Sequence, residues 1–248
     1  MYQEQRMSKI LALLEEHKEL STKEMMNYFK VSRDTIRRDF SILSNRNLVK
    51  RTHGGIISIE SNNQIPSFND RIGEFTQEKK VIAQKAKEFI YSGNLYFFDV
   101  STIVLNLAQM VNENVTVYSH SLDNAIMLSN HENISFYLLG GKFYPKNRFY
   151  YSLNESEILR YINFDIAFFG AAGLKNGYVS FEDSEDTYLK QLVMKNSKTK
   201  ILLAEQEKFQ KTSNYILGNI NEFDYFITDE KPNEQIQQLL SNELKVIF

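Results

Sequence analysis

Residues 31–40 read Val31-Ser32-Arg33-Asp34-Thr35-Ile36-Arg37-Arg38-Asp39-Phe40, and residues 51–55 read Arg51-Thr52-His53-Gly54-Gly55. Ser32 is placed to cap a helix that starts after it, and Asp34 falls in the first turn, where the helix dipole favours a carboxylate. At about 100° per residue, Ile36, Phe40 and Leu43 share one face. Arg38 lies nearly opposite, with Asp34 and Ser41 beside it, while Thr35 and Arg37 flank the apolar face. Such a helix buries one side and presents guanidinium and hydroxyl groups from the other.

Upstream, Ser21-Thr22-Lys23-Glu24 is a capping box, with Leu20 and Met25 as its hydrophobic staple. Ile10, Leu11, Leu13 and Leu14 give an earlier helix its apolar stripe. Only a few residues separate Tyr28-Phe29 from Ser32, so the second and third helices must cross steeply to bury their apolar faces together: a helix-turn-helix. In LVKRTHGGIISI (48–59), two β-prone runs meet at Gly54-Gly55, which are expected to supply the positive φ angles of a tight hairpin. A hairpin directly after the third helix is a wing.

This module is suited to double-stranded DNA. An arginine on the outward face of the third helix can bond a guanine edge in the major groove. Arg37 and Arg38 are the expected readers, with Thr35 beside them. Helix N-termini at Ser21-Thr22 and Ser32, together with Arg33, Lys50 and Arg51, are placed to meet phosphates, and His53, Gly54 and Gly55 put the wing tip near the backbone or minor groove. The competing reading is a helical bundle with a solvated basic face. Charge distribution favours DNA. The chain of 248 residues carries a net charge of −2, but residues 1–60 hold eleven Lys and Arg against eight Asp and Glu, and the rest is acidic. One module reads only a few base pairs, so a homo-oligomer on related half-sites is expected.

The organisation that follows is a winged helix-turn-helix of α+β type over 1–60, a polar linker over 61–76 containing Pro66, and an α/β domain over 77–248. In the last part, apolar runs such as LYFFDV, VTVYS, ISFYLLGG and FDIAFFGAAG alternate with helical patterns. Strands apolar almost throughout, joined by crossover helices, indicate a mainly parallel sheet covered on both faces. No cysteine is present, which removes disulfides, thiolate nucleophiles and cysteine-based zinc sites. No window approaches eighteen uninterrupted apolar residues and the start lacks a secretory core, so no membrane segment is expected and the cytoplasm is the natural compartment. No cofactor and no metal site is expected.

A ligand of the α/β domain should sit at the carboxyl ends of its strands. Three strand ends qualify: Asp99-Val100-Ser101-Thr102, Ser119-His120-Ser121 and Gly140-Gly141-Lys142. Glu205 and Lys208 leave a later strand and can complete a cage. Each has a plainer alternative. Asp99, Ser101 and Ser121 are also helix caps, the two glycines also turn the chain, and His120 also fills space.

With these residues in view, the chain resembles the DeoR family of bacterial sugar-metabolism regulators. The likeness is strongest in the 31–40 and 51–55 strings and continues through EKKVIAQKA, LLGG at 138–141, FFGAAG at 168–173 and FITD at 226–229. It implies a C-terminal domain related to the ribose-5-phosphate isomerase and CoA-transferase folds, acting as a sensor of phosphorylated sugars and as the oligomerisation unit. It also implies repression of a sugar uptake or catabolic operon, relieved by the metabolite. The chain departs from the family's usual motifs: Val100 stands where glycine is usual, Ser119-His120-Ser121 where T-N-S is usual, and Glu205-Gln206-Glu207 where D-S-S is usual, with Lys208-Phe209 retained. Two further readings stay open: a DNA-binding protein whose sensor domain no longer binds sugar phosphate and serves oligomerisation, and an isomerase- or deaminase-like enzyme using Asp99, His120, Glu205 and Lys208.

Overall fold

The computed structural model describes residues 3–17, 19–45, 48–52, 54–58 and 76–248. The chain divides into two compact units, 1–62 and 63–248. Except for Thr76, the expected linker lies outside the described residues, as does His53.

In the first unit, α1 (Gln3–His17), α2 (Thr22–Phe29) and α3 (Arg33–Asn45) pack with a sheet of β1 (Glu19–Ser21), β3 (Gly55–Ser58) and β2 (Val49–Arg51), in that order. The apolar stripes meet as one core: Met7, Ile10 and Leu14 from α1, Met25 from α2, Ile36, Phe40 and Leu43 from α3, with Leu20, Val49 and Ile56 from the strands. The capping box forms. The Glu24 N–H donates to Ser21 Oγ (3.1 Å), and the Ser21 N–H donates to Glu24 Oε2 (2.9 Å). Lys30 ends α2 in the left-handed region (φ 51°), which turns the chain into α3.

The wing differs from expectation in two respects. β1 adds a third strand, which three residues of sequence were too short to signal. Gly55 does not have a positive φ, and the φ of Gly54 depends on His53, outside the described residues. Gly55 is required for another reason: it pairs with Ser21 across the β1–β3 ladder, and a Cβ there would lie 2.0 Å from the Leu20 carbonyl oxygen. Absence of a side chain, rather than freedom of φ, is what the position uses.

The second unit opens with α4 (Gln77–Lys87), capped by Thr76. It continues through β4 (Leu95–Phe98), α5 (Thr102–Ala108), β5 (Val115–Ser119), α6 (Leu122–Leu128), β6 (Ile134–Leu138), the hairpin β7 (Lys142–Tyr144) and β8 (Phe149–Tyr151), α7 (Leu153–Ile158) and β9 (Phe164–Phe169). After these come β10 (Tyr178–Phe181), α8 (Ser184–Lys195), β11 (Ser197–Leu203), β12 (Tyr215–Asn219), β13 (Tyr225–Ile227), α9 (Glu234–Gln237) and β14 (Lys245–Ile247). Seven strands form one parallel sheet in the order β14-β13-β11-β9-β4-β5-β6. Alternate residues serve opposite cores. Tyr96 and Phe98 join α4 and α5 on one face, and Phe97 joins Phe164, Phe169 and Leu189 on the other. That is why the strands are apolar without alternation.

The chain runs outward from β4 to β6, then returns to the other side of β4 with β9. The sheet therefore reverses direction between β4 and β9, where a doubly wound sheet opens a crevice at its carboxyl edge. The β7–β8 hairpin and the antiparallel β10–β12 ribbon were not expected from sequence, and both rise from strand ends of this edge.

Candidate nucleic-acid interface and effector crevice

On α3, the Thr35 N–H donates to Ser32 Oγ (3.3 Å), and the two hydroxyls lie 2.9 Å apart. Arg33, Arg37 and Arg38 are exposed, while Ile36 and Phe40 are sealed beneath them. An open hollow along this face is lined by Gln3, Asp34, Arg37, Arg38, Ser41 and Ile42. Asp39 is fully buried and receives Arg6 of α1: Arg6 Nη2 lies 3.0 Å from Asp39 Oδ1, and Gln3 Nε2 donates to the same oxygen (3.0 Å). That bond raises the Arg6 guanidinium above its ordinary value. Sequence reasoning missed this pair, because an Arg and an Asp on different helices carry no spacing signal.

Other expected DNA-contacting residues have internal engagements. The Thr22 N–H donates to the Gly54 carbonyl (2.8 Å), so this helix start is tied to the wing. Ser21 spends its N–H and hydroxyl within the capping box. Arg51 reaches back to α3, where its Nη1 donates to the Arg37 carbonyl (3.3 Å) and its guanidinium lies 5.8 Å from the Phe40 ring centre. Lys50 is exposed on β2.

At the carboxyl edge of the sheet, Asp99 and Gly170 close the gap between β4 and β9. The Gly170 N–H donates to Asp99 Oδ2 (2.8 Å), and the Val100 N–H donates to Oδ1 (2.5 Å). A Cβ at Gly170 would meet the Ser101 side chain at 2.4 Å, so this glycine lets the two strand ends approach. Behind Asp99 stands a charged cluster. Lys190 Nζ lies 2.9 Å from Asp99 Oδ1 and 2.7 Å from Asp186 Oδ2, and His120 Nε2 lies 2.7 Å from Asp186 Oδ1. Asp99, His120 and Lys190 are wholly buried. Burial pushes the Asp186 carboxyl up, but Lys190 and His120 outweigh it and hold the group below its ordinary value. His120 also stacks on Phe97 and meets Phe149 edge-on. Asp99, His120 and Asp186 bring metal-ligating atoms within 4.8 Å of one another. Lys190 already supplies the positive charge between the two carboxylates.

Asp186 and Lys190 complete this cluster, and sequence reasoning does not single them out. Their i, i+4 spacing on α8 is a signal, but an ordinary one for an exposed helix pair. The selected hydroxyls are spent on architecture. Ser101 Oγ and Ser121 Oγ cap α5 and α6, and Ser119 Oγ donates to the Phe98 carbonyl (2.7 Å). Thr102 is buried. Gly141 (φ 120°) turns the chain from β6 into the hairpin, where a Cβ would lie 2.3 Å from the Tyr151 carbonyl oxygen. Lys142 is exposed beside the Tyr144 ring. What opens between these groups is a crevice of about 30 Å³ lined by Val100, Ser101, Asn147, Ala171, Ala172, Phe181, Glu182 and Asp186.

Glu205 and Lys208 are not among those lining residues, although the Lys208 carbonyl accepts from the Leu174 N–H (2.8 Å). Glu205 is buried with Lys79 Nζ at 3.8 Å, and burial lowers the Lys208 ammonium below its ordinary value, against the pull of Glu205 and Glu207.

Residues 6–62 match the DeoR-like helix-turn-helix domain, and residues 74–230 match the DeoR C terminal sensor domain. The chain belongs to the DeoR family. This DeoR-family chain is 35% identical to the HTH-type transcriptional repressor GlcR of Bacillus subtilis (strain 168), over 97% of the chain and 93% of that protein. It is 28% identical to the glycerol-3-phosphate regulon repressor of Escherichia coli (strain K12), over 98% of the chain and 97% of that repressor. A solved ribose 5-phosphate isomerase A from Methanocaldococcus jannaschii aligns at 14% identity over 56% of this chain and 54% of that one, with a TM-score of 0.39. As a DeoR-family member the chain is a DNA-binding transcription regulator and not an enzyme. None of its described helices is long and apolar enough to cross a membrane.

Proposed function

We propose that this regulator represses a sugar uptake or catabolic operon by binding its operator as a homo-oligomer, and that a phosphorylated sugar releases it. The observation that carries the DNA part is the outward row of α3. Arg37 and Arg38 are exposed over a sealed apolar core, on a helix braced from α1 by Arg6 and from β2 by Arg51. Arg37 and Arg38 read base edges, with Ser32 and Thr35 alongside, and Arg33 and Lys50 meet phosphates. Ser21, Thr22, Gly54 and Gly55 hold the wing against α2, and Arg51 fixes its angle to α3.

The effector reading rests on the crevice at the β4–β9 reversal, with Asp99, Ser101, Thr102, Ser119, His120 and Ser121 at its strand ends and Gly140, Gly141 and Lys142 at the base of the hairpin. Glu205 and Lys208 form a second charged group at the end of β11. The names of the relatives support this reading: one is a transcriptional repressor, and the other is the repressor of the glycerol-3-phosphate regulon, a regulon named for a phosphorylated compound.

A second reading has an observation of its own. The crevice encloses about 30 Å³, whereas small-molecule pockets run to roughly 300–1,000 Å³. A crevice this small is what a sensor domain without a sugar-phosphate ligand, serving oligomerisation alone, would present. Fluorescence anisotropy on DNA upstream of the protein's own and neighbouring genes, with and without a panel of sugar phosphates, separates the two. Release by one compound establishes the effector. Tight binding unmoved by the whole panel leaves the oligomerisation reading, and absence of tight binding defeats both.

A further inference from the structure

The crevice is narrow because a hairpin tip covers it. Of its lining residues, Asn147 is supplied by the 145–148 turn between β7 and β8, and the others come from strand ends, the segments that follow them and α8. The β8 side is anchored by backbone bonds, from the Leu122 N–H to the Arg148 carbonyl (3.0 Å) and from the Tyr150 N–H to the His120 carbonyl (2.9 Å), and three side-chain ties hold the turn itself down. Lys146 Nζ meets Glu182 Oε1 (2.9 Å), Asn147 Nδ2 donates to Asp183 Oδ2 (2.8 Å) and Glu182 Oε2 (3.3 Å), and Arg148 grips Asp123 with two nitrogens (2.7–3.1 Å). Arg148 is held in the left-handed region (φ 53°), a conformation costly for a side chain of its size. Beneath the turn, Val100 packs with Leu105 and fully buried Phe149, and Tyr144 stacks on Phe149 at 4.6 Å. At the base, Gly140-Gly141 leave β6, and Gly141 (φ 120°) packs against the Tyr151 carbonyl at the far end of the hairpin, so the base is fixed and only the tip is held by exchangeable contacts.

The two ends of this cover differ in kind. The apolar base is sealed, whereas Lys146 is half exposed and its ion pair with Glu182 is open to water. Water-exposed pairs are weak and exchangeable. We propose that the 145–147 tip of the β7–β8 hairpin is the entry gate of the crevice, shut by the Lys146–Glu182 and Asn147–Asp183 latch while Arg148 and β8 stay anchored, and that an anionic ligand enters by taking the place of the Glu182 carboxylate at Lys146. This rests on the effector reading above and accounts for the small volume without discarding it. Val100 acts as the floor on which the closed hairpin rests.

The chain contains no cysteine, so a single thiol reports on the gate without background. Ala171→Cys places it in the crevice lining. The rate of its reaction with the neutral reagent N-ethylmaleimide is measured in full-length protein alone and combined with Lys146→Ala, Glu182→Gln or Lys146→Arg. Lys146→Ala and Glu182→Gln change the charge in opposite directions but open the same latch. Both are expected to speed labelling about ten-fold, while Lys146→Arg stays slow and the thermal midpoint stays put. Equal rates in all four proteins overturn the gate, as does acceleration in only one of the two latch-breaking variants. The result is independent of the effector. Fast labelling with no response to any sugar phosphate keeps the gate and defeats the effector reading. Release of DNA by a sugar phosphate with labelling rates unmoved does the reverse.

Discussion

Lys190 Nζ and Asp99 Oδ1 lie 2.9 Å apart with both side chains sealed from solvent, so an α8 residue neutralises the strand end that borders the crevice. The same ammonium bonds Asp186 at 2.7 Å. Lys190→Met removes the cation shared by two buried carboxylates, and breaking a buried pair from one side costs about 3–5 kcal/mol. Chemical denaturation should show that loss, with the double variant Asp99→Asn/Lys190→Met recovering part of it. A loss below about 1 kcal/mol would mean that solvent reaches the cluster.

Acid should unfold the sensor unit partly through Asp186. Its folded pKa is depressed below the ordinary 3.8, so the stability it contributes is full above that value and is lost as pH falls through the lower folded value. The thermal midpoint of the wild-type protein is therefore expected to drop through this acid range more steeply than that of Asp186→Asn. Parallel acid limbs in the two proteins would show that Asp186 contributes nothing to the pH dependence.

Gly55→Ala puts a methyl group 2.0 Å from the Leu20 carbonyl oxygen. The β1–β3 ladder must part, at a cost of about 1–3 kcal/mol for overpacking. DNA affinity should fall at every sequence. Gly54→Ala meets nothing within 4 Å and should be mild, which makes it the control. Equal behaviour of the two substitutions would remove the close-approach explanation of the wing.

Arg37→Ala or Arg38→Ala should abolish discrimination between operator and random DNA, at roughly 1–3 kcal/mol per half-site. Lys50→Ala should weaken all sequences alike and lower the salt slope by about one unit. Titrations at several salt concentrations check both, and uniform loss from the two arginine substitutions would reassign them to phosphate.

What sequence made legible followed periodicity and capping. Ile36, Phe40 and Leu43 on one face, the Ser21–Glu24 box and the apolar strands each leave a local pattern, and the two-unit architecture follows from them. The hidden features are those whose partners are remote in the chain. Asp39 finds Arg6 across 33 positions, and His120 finds Asp186 across 66. The β10–β12 ribbon joins short strands that straddle α8 and β11, and no local rule pairs them. Position at strand ends suggests Asp99 and His120 as ligand contacts, but both are buried and engage Lys190 and Asp186 in the cluster behind the crevice, a partnership that only the fold reveals.

The Arg6–Asp39 pair bears on how specificity in this protein can be transplanted. Counted along the sequence, α3 carries Arg33, Arg37 and Arg38 against Asp34 and Asp39. With Asp39 neutralised by α1, its solvent side offers three cations and one anion. A chimera that moves α3 alone onto another scaffold would carry an orphaned carboxylate into the new core and a weaker field to DNA. The transferable recognition element is α3 together with the turn of α1 that holds Gln3 and Arg6.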